Sequence, residues 1–265
     1  MVVLHAGRIK NGERLRLSMD VLGGYVGDIG DGSHLNSFAE PLYFDWMEQV
    51  VNFTMTVLNK PSKIFFGFDE MHGFNRDSRS RALGLSNAEL LARTMNTLQG
   101  FVRAVDPAAQ AMFWADMLCP FHNGGRSAYQ QSSGGIAGAT AGAADLLDRS
   151  IIVVPWWYSG YSTAPVVNCS SPNVAKGCTV NCGNTRCAMN NQATYWHDKG
   201  IQWLGAGGTK QENLAAWGKL EKGAKGALGV MTTQWSSPPS TAGIPFAGES
   251  GWNQAHAQKS LGCAV

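Results

Sequence analysis

A short apolar run that ends in two acids, Ile64-Phe65-Phe66-Gly67-Phe68-Asp69-Glu70, carries the most information about the fold of this chain. An apolar run of this length predicts a buried strand. The carboxyl ends of such strands are where barrel enzymes and open α/β sheets place their chemistry. Two adjacent carboxylates also repel each other, so Asp69 and Glu70 predict one acid with a raised pKa that serves as a proton donor.

The rest of the chain alternates apolar runs with amphipathic stretches. Residues 86–105 and 210–222 predict helices, and Ser86 with Glu89 forms a capping box at the start of the first of these. A further helix is predicted at 41–58, with an apolar stripe that consists of Leu42, Trp46, Val50, Phe53 and Val57. Further strands are predicted at 2–4, 15–20, 111–116, 151–158, 201–205 and 228–235.

Strand, helix and strand in alternation predict parallel pairing with right-handed crossovers. The sequence therefore predicts an α/β fold, namely a (β/α)8 TIM-type barrel that is incomplete or has a degenerate first strand. The 265 residues suit one barrel, which typically has about 250. Residues 1–265 are therefore expected to form a single domain, with a Cys-rich loop insert at about 161–191.

Composition excludes some classes of partner. Lys+Arg 21 against Asp+Glu 19 gives a net charge of only +2, and a nucleic-acid binder would show a clustered basic face. No apolar stretch approaches the roughly 20 residues of a membrane span. We therefore expect neither a nucleic-acid partner nor a membrane span, and the sequence does not indicate an oligomeric state.

The cysteines favour an exported protein. Four of the six lie in the Gly/Ser/Asn-rich insert, and these are Cys169, Cys178, Cys182 and Cys187. Closely spaced cysteines in a loop predict disulfides, although the spacing does not reveal their pairing. The alternative is a four-thiolate zinc site, which usually has paired Cys-x2-Cys knuckles that are missing here. The chain does not start with a signal peptide, so we expect a secreted or extracytoplasmic protein whose leader is absent from this chain.

Aromatic residues and a further acid recur at the predicted carboxyl ends of strands. The candidates for substrate binding are Trp114, Asp116, Trp156, Trp157, Tyr158 and Trp235. Aromatic walls with a few carboxylates suit a carbohydrate substrate, because axial C–H bonds pack on indole faces while acids accept hydroxyls or supply protons. Two alternatives stay open: Asp116 could be a helix N-cap, and each tryptophan could be a core residue.

Strand alternation constrains the two neighbouring acids. Asp69 shares one side of the strand with Phe65 and Gly67, whereas Glu70 lies on the other side. Both acids reach one pocket only if the strand ends at Asp69 and Glu70 curls inward from the following loop.

The run from Lys63 to Glu70 resembles the His-x-Gly-Gly-Asp-Glu strand of the family 20 glycoside hydrolases, the β-N-acetylhexosaminidases. The similarity continues in the same order through residues 113–117, 154–158 and 233–236. That family has a (β/α)8 barrel and removes terminal N-acetylhexosamines with retention of configuration, with the acetamido oxygen of the substrate as the nucleophile. The resemblance implies a glycoside hydrolase that needs no cofactor and no metal.

The resemblance also implies roles for individual residues. Glu70 is expected to be the general acid that protonates the leaving oxygen. Asp69 is expected to hold the acetamido N–H and to stabilise the oxazolinium-like intermediate. The sugar in the −1 subsite is expected to lie between Trp114, Trp156 and Trp235.

Some positions depart from the pattern of the family. The arginine of its first strand has no equivalent, Tyr158 stands where an aspartate of the acetamide clamp is expected, and Ser237 replaces a glutamate. These departures leave two other functions open. One is a non-catalytic carbohydrate-binding barrel. The other is a metal-dependent ester or lactone hydrolase, whose ligands would come from Asp20, Asp69, Glu70, Asp116 and His122.

Overall fold

The computed structural model of the protein describes residues 38–71, 74–75, 77–120, 122–124, 140–158 and 186–235. Within these residues, five strands form one parallel sheet. The strands are β1 Lys63–Phe65, β2 Gln110–Trp114, β3 Ile152–Val154, β4 Gln202–Gly207 and β5 Ala227–Thr232. The helices are α1 Pro41–Val57, α2 Ser78–Ala82, α3 Asn87–Val105, α4 Arg186–Lys199 and α5 Gln211–Glu221, with 3-10 helices at Asp116–Leu118 and Ala141–Asp145.

The prediction of a (β/α)8 barrel is wrong. The described sheet is an all-parallel, curled half-barrel with the order β1-β2-β3-β4-β5, in which the first and last strands do not pair. A closed barrel requires eight strands and pairing between the first and the last. The alternation of strand and helix specifies the direction of neighbouring strands, which is a local property, but it does not specify closure. The strands predicted at 2–4 and 15–20 lie outside the described residues.

Alternation along the strands separates two cores. On the helix-covered face, Phe113 of β2, Val153 of β3 and Trp203 of β4 belong to the large cluster that includes α3 and α5. The opposite face carries a smaller cluster, whose buried members are Met112, Trp114, Ile152, Val154 and Ala206. The sheet is therefore apolar on both faces, as expected for a parallel sheet, and Asp69, Glu70 and Asp116 follow the carboxyl ends of its strands.

Helix α3 confirms the predicted capping box. The Ser86 hydroxyl accepts a 3.2 Å hydrogen bond from the Glu89 N–H, and the Glu89 carboxylate accepts a 2.8 Å hydrogen bond from the Ser86 N–H. Leu90, Met95, Leu98 and Val102 are buried below this cap. The helix fills the space between α1 and β2 and supports the strand that leads to Asp116.

Helix α1 begins at the predicted residue and ends one residue before the predicted end, but the predicted apolar stripe is wrong. The buried residues are Tyr43, Met47, Val51 and Met55. Leu42 and Phe53, from the predicted stripe, are 71% and 70% exposed. Both faces of this helix carry apolar residues at helical spacing, so periodicity does not distinguish them. The packing partner α3 selects the face.

The end of the predicted Cys-rich loop insert is helical, because helix α4 begins within it. The helix begins at Arg186 and ends at Lys199, so the last residues of the range 161–191 are helical and the rest lie outside the described residues. The helix has a polar sequence without a clear apolar stripe, which explains why its pattern does not predict it. Cys169, Cys178, Cys182 and Cys263 also lie outside, as does the side chain of Cys187. Disulfides between them stay a prediction.

A buried carboxylate joins β4 to β5. Glu221, at the end of α5, accepts a 2.6 Å hydrogen bond from the Gly205 N–H and a further hydrogen bond from the backbone of Gly229. The pairing of β4 with β5 shifts register between Trp203 and Gly205, next to this contact. Burial raises the pKa of Glu221 to about 8.

We expect the wild-type protein to lose more stability than Glu221→Gln when the pH rises from about 5 to about 8. The pKa of an unfolded glutamate is about 4.3, so in this window folded Glu221 holds a proton that the unfolded chain has released. The free energy of unfolding then falls by up to about 1.4 kcal/mol per pH unit. Urea unfolding measures it, with exposed Glu212→Gln as control. Identical pH dependence of wild type and Glu221→Gln would contradict the assignment.

Candidate functional site

The segment that carries Asp69 and Glu70 leaves the sheet earlier than predicted. Strand β1 ends at Phe65, and the φ angles of Gly67, Phe68 and Glu70 are 82°, 74° and 43°. Residues other than glycine rarely adopt such left-handed angles. A strained backbone of this kind persists only where surrounding contacts hold it, and such strain is common at functional sites.

Two phenylalanines hold this segment on the helix-covered face. Phe66 stacks on Phe113 with ring centroids 5.3 Å apart, and Phe68 contacts the same ring edge-on, also at 5.3 Å. The Gly67 carbonyl accepts a 2.9 Å hydrogen bond from the Trp114 N–H. The left-handed residues interrupt the alternation of a strand, so the next side chains are free of the constraint that would place Asp69 and Glu70 on opposite faces.

Asp116 lies at the centre of the acidic group. It follows β2, and its side chain is completely buried. Its Oδ2 accepts a 2.9 Å hydrogen bond from the Glu70 N–H and a 2.8 Å hydrogen bond from Nδ2 of Asn123. The interpretation of Asp116 as a helix N-cap is wrong, because the N-cap of the 3-10 helix is Ala115 and no side chain caps it.

The loop after Asp116 is closed by a glycine. The Gly124 N–H donates a 2.7 Å hydrogen bond to the Asp116 carbonyl. A Cβ atom at Gly124 would lie 2.5 Å from the Met117 carbonyl oxygen and 2.9 Å from Cys119 backbone atoms. Only glycine fits, and the tight loop brings Asn123 back to Asp116. Sequence reasoning missed Asn123, because no residue spacing marks this contact.

The three carboxyl groups affect one another electrostatically. Partial burial raises the pKa of Asp69 and of Glu70, and the charge of Asp116 raises both further. Burial raises the pKa of Asp116, while hydrogen bonds from the Glu70 backbone and Asn123, together with the nearby Trp156 indole N–H, lower it. Groups that interact in this way titrate together. The cluster therefore holds a proton at a pH where isolated carboxyl groups are ionised.

Exposure differs among the three acids. Asp116 is buried, Asp69 is half-buried and Glu70 is exposed. Among the described residues, Asp116 Oδ1 and Trp156 Nε1 have no partner at hydrogen-bonding geometry, although the indole is close enough to lower the pKa of Asp116. Glu70 is thus the acid that a molecule from solvent reaches first, and Asp116 lies behind it.

Aromatic side chains follow the ends of β3 and β5, and those after β3 lie within electrostatic range of the acids. Trp156 and Tyr158 stack with centroids 5.1 Å apart and an interplanar angle of 17°. Tyr158 lies 6.2 Å from Trp235, which in turn lies 6.0 Å from Trp114. The three strand ends therefore present a continuous row of rings.

Tyr158 connects the aromatic row to the acids. Burial raises the pKa of its phenol, hydrogen bonds with Thr233 and Trp235 lower it, and the charges of Asp69 and Asp116 raise it again. Both acids act on the phenol, so Tyr158 lies within electrostatic range of the carboxyl cluster. Tyr158 therefore places a hydroxyl group within electrostatic range of Asp69.

The predicted aromatic residues have different surroundings. Trp235 is 66% exposed, whereas Trp114 is 5% exposed and packs edge-on against Phe65, with centroids 4.8 Å apart. Trp157 packs against the helix-covered core. The structure brings Trp156 close to Asp116 and Tyr158 within electrostatic range of Asp69 and Asp116, while Trp235 lies against Tyr158. The described contacts of Trp114 and Trp157 are those of core residues, and a role of either in substrate binding stays a prediction.

His122 supports the aromatic row from behind. Its ring lies 4.3 Å from Trp156 and 5.4 Å from Trp157, measured between centroids. Burial lowers its pKa to about 4, against the opposing effect of Gln192, so the imidazole is neutral at physiological pH. Gln192 also donates a 3.4 Å hydrogen bond to the Trp156 carbonyl. Sequence reasoning missed Gln192 because it missed α4.

Neither a metal-binding group nor a membrane-spanning helix occurs among the described residues. Within the described residues, no group of three or more His, Cys, Asp or Glu side chains is arranged to hold a metal ion. Asp20, one of the ligands considered for a metal-dependent hydrolase, lies outside these residues. Of the helices described, none combines the length and apolar content that crossing a membrane requires.

Comparison with known proteins adds no identification. The chain matches no model of a known protein family, and it matches no curated protein.

Proposed function

We propose that the protein is a glycoside hydrolase that acts on a terminal (N-acetyl)hexosaminide or a related sugar, with Glu70 as the general acid. The observation that supports this proposal is the convergence of Asp69, Glu70 and Asp116 beside the stacked rings of Trp156 and Tyr158. Acids with raised pKa values next to aromatic faces suit the protonation of a glycosidic oxygen.

Glu70 and Asp69 have different roles in the proposed reaction. Glu70 is exposed and its pKa is raised, which favours the protonated form that can deliver a proton to a leaving oxygen entering from solvent. Asp69 is half-buried, and as a carboxylate it stabilises the positive charge that develops at the anomeric carbon. By resemblance, Asp69 also accepts the N–H of a substrate acetamido group, whose oxygen attacks the anomeric carbon.

The aromatic row supplies the surface for the sugar ring. Trp156 and Tyr158 stack on each other, and both interact electrostatically with the carboxyl cluster. The phenol of Tyr158 adds a hydrogen-bond donor and acceptor within electrostatic range of Asp69. A sugar bound here places its apolar C–H face on rings and its hydroxyls on acids.

We expect hydrolysis of at least one nitrophenyl hexosaminide from a panel that pairs 2-acetamido sugars with their 2-hydroxyl counterparts. If the acetamido oxygen is the nucleophile, only the 2-acetamido member of a pair is a substrate. Release of nitrophenol measures both rates. Equal rates within every pair would contradict the acetamido role of Asp69, and the absence of turnover on all members would contradict the hydrolase itself.

A non-catalytic carbohydrate-binding function is the second candidate. It is favoured by Trp235, whose ring is 66% exposed and lies beside the rings of Trp114 and Tyr158. Exposed aromatic rings of this kind supply large apolar surfaces on which a sugar can pack. Calorimetry with the same sugars distinguishes the candidates: binding without turnover favours the second, and turnover favours the first.

A further inference from the structure

Glu70 has a left-handed backbone conformation that residues with a Cβ atom rarely adopt. Its φ angle is 43°, and the preceding Phe68 is also left-handed at 74°. For a residue with a Cβ atom, this region brings Cβ too close to the following carbonyl oxygen. A regular strand would place the Glu70 side chain on the face opposite to Asp69. Some contact must therefore select the left-handed turn.

The contact that the structure offers is the hydrogen bond from the Glu70 N–H to Asp116 Oδ2, at 2.9 Å. This acceptor is rigid for two reasons. Asp116 is completely buried, and the same oxygen atom also accepts a 2.8 Å hydrogen bond from Asn123. The loop that carries Asn123 closes through a hydrogen bond from the Gly124 N–H to the Asp116 carbonyl. Position 124 requires glycine, because a Cβ atom there would clash with the Met117 carbonyl oxygen.

We propose that Asp116, anchored by Asn123, is a positioning residue that holds Glu70 in its left-handed turn and so brings the Glu70 carboxyl group next to Asp69. This inference rests on the proposed function, in which Glu70 is the general acid. Asp116 acts through Glu70 and need not touch the substrate.

The charges around Glu70 support the same role. Asp69 faces it from its own segment and Asp116 from the end of β2, and both raise its pKa in addition to partial burial. From β3, Tyr158 lies within electrostatic range of Asp69 and Asp116. His122, behind Trp156, is neutral. The described titratable neighbours are therefore anionic or neutral, and Asp116 helps to keep a proton on Glu70.

Asp116→Asn and Asp116→Ala separate the two contributions. Asn keeps an oxygen that accepts the Glu70 N–H but removes the charge, so the pKa of Glu70 is expected to fall and the backbone hydrogen bond to survive. Ala removes both, so amide exchange of the Glu70 N–H is expected to accelerate by about tenfold or more. NMR of protein with 13C,15N-labelled glutamate measures both quantities, and the signal absent from Glu70→Gln identifies Glu70.

The pH profile of kcat/KM gives the functional readout. A general acid loses activity as the pH rises through its pKa. In Asp116→Asn the alkaline limb should therefore move to lower pH, with kcat reduced by about tenfold or more and KM nearly unchanged. Asp45→Asn makes the same chemical change on an exposed face of α1 and should change neither profile nor titration.

The possible outcomes discriminate between the proposals. Unchanged Glu70 titration in Asp116→Asn together with unchanged amide exchange in Asp116→Ala would overturn the positioning role. If Asp116→Ala does not fold, Asn123→Ala removes only the anchor, and it must still accelerate exchange of the Glu70 amide. If the variants show these effects but the wild-type protein hydrolyses no glycoside, the proposed function is refuted and the positioning role stands.

Discussion

Glu70→Gln is expected to lower kcat/KM for a glycoside with an alkyl leaving group by about 10²- to 10⁴-fold. An alkoxide leaves poorly without a proton, and glutamine cannot donate one with the required acidity. The loss should be much smaller for a nitrophenyl glycoside, because nitrophenolate leaves without protonation. The ratio of the two losses, measured by steady-state kinetics, therefore reports the acid function.

The pH dependence gives an independent test of the same residue. The pKa of Glu70 is raised by partial burial, Asp116 and Asp69, so the wild-type alkaline limb should lie above the usual pKa range of a glutamate, about 4.3. Glu70→Gln should lose this limb for the nitrophenyl substrate. Glu48→Gln, on an exposed turn of α1, is the matched control. Equal losses on alkyl and nitrophenyl substrates would show that Glu70 does not act as the acid.

Gly226→Ala is expected to destabilise the protein by about 3–5 kcal/mol, which places it among the most damaging single substitutions. The φ angle of Gly226 is 79°, and a Cβ atom there would lie 2.4 Å from the Ile201 carbonyl oxygen. Ile201 immediately precedes β4, and the Gly226 carbonyl accepts a 2.9 Å hydrogen bond from the Trp203 N–H. The clash is with backbone, so it can be relieved only by separating β4 from β5.

Gly223→Ala is the matched control for this prediction. Gly223 belongs to the same connection between α5 and β5 and has a φ angle of 75°, but nothing lies within 4 Å of its Cβ position. Gly223→Ala should therefore lower the free energy of unfolding by only about 1–2 kcal/mol, the cost of a left-handed residue with a Cβ atom. Chemical denaturation of both variants measures the difference. If the two substitutions cost the same, the close approach of Ile201 does not determine stability.

Several elements could be predicted from the sequence because their signals are local. Every described strand falls on a predicted apolar run, and α3 has the predicted capping box. The buried face of α1 could not be predicted, because apolar residues occupy both faces and only contact with α3 selects Tyr43, Met47, Val51 and Met55. Helix α4 could not be predicted either, because its sequence lacks an apolar stripe.

In the candidate site, too, residue types could be predicted from local sequence, whereas contacts between distant residues could not. The acids Asp69 and Glu70 and the strand-end aromatics could be identified from residue type and from their position after apolar runs. The approach of Asp116 to Glu70 joins residues 46 positions apart, and no pattern within either segment encodes it. The same holds for Asn123 and Gln192, whose contacts depend on a tight loop and on an unpredicted helix.

The amino-acid sequence alone predicted the order of the described strands, the helices α1, α3 and α5, and the residue types that follow the carboxyl ends of the strands, because hydrophobic spacing and capping act within a few turns of chain. Only the tertiary structure decided that the described sheet is an open half-barrel, and that a left-handed turn directs Glu70 toward Asp116. Sheet closure and the burial of a carboxylate depend on the sum of distant contacts, and these exist only once the chain has folded.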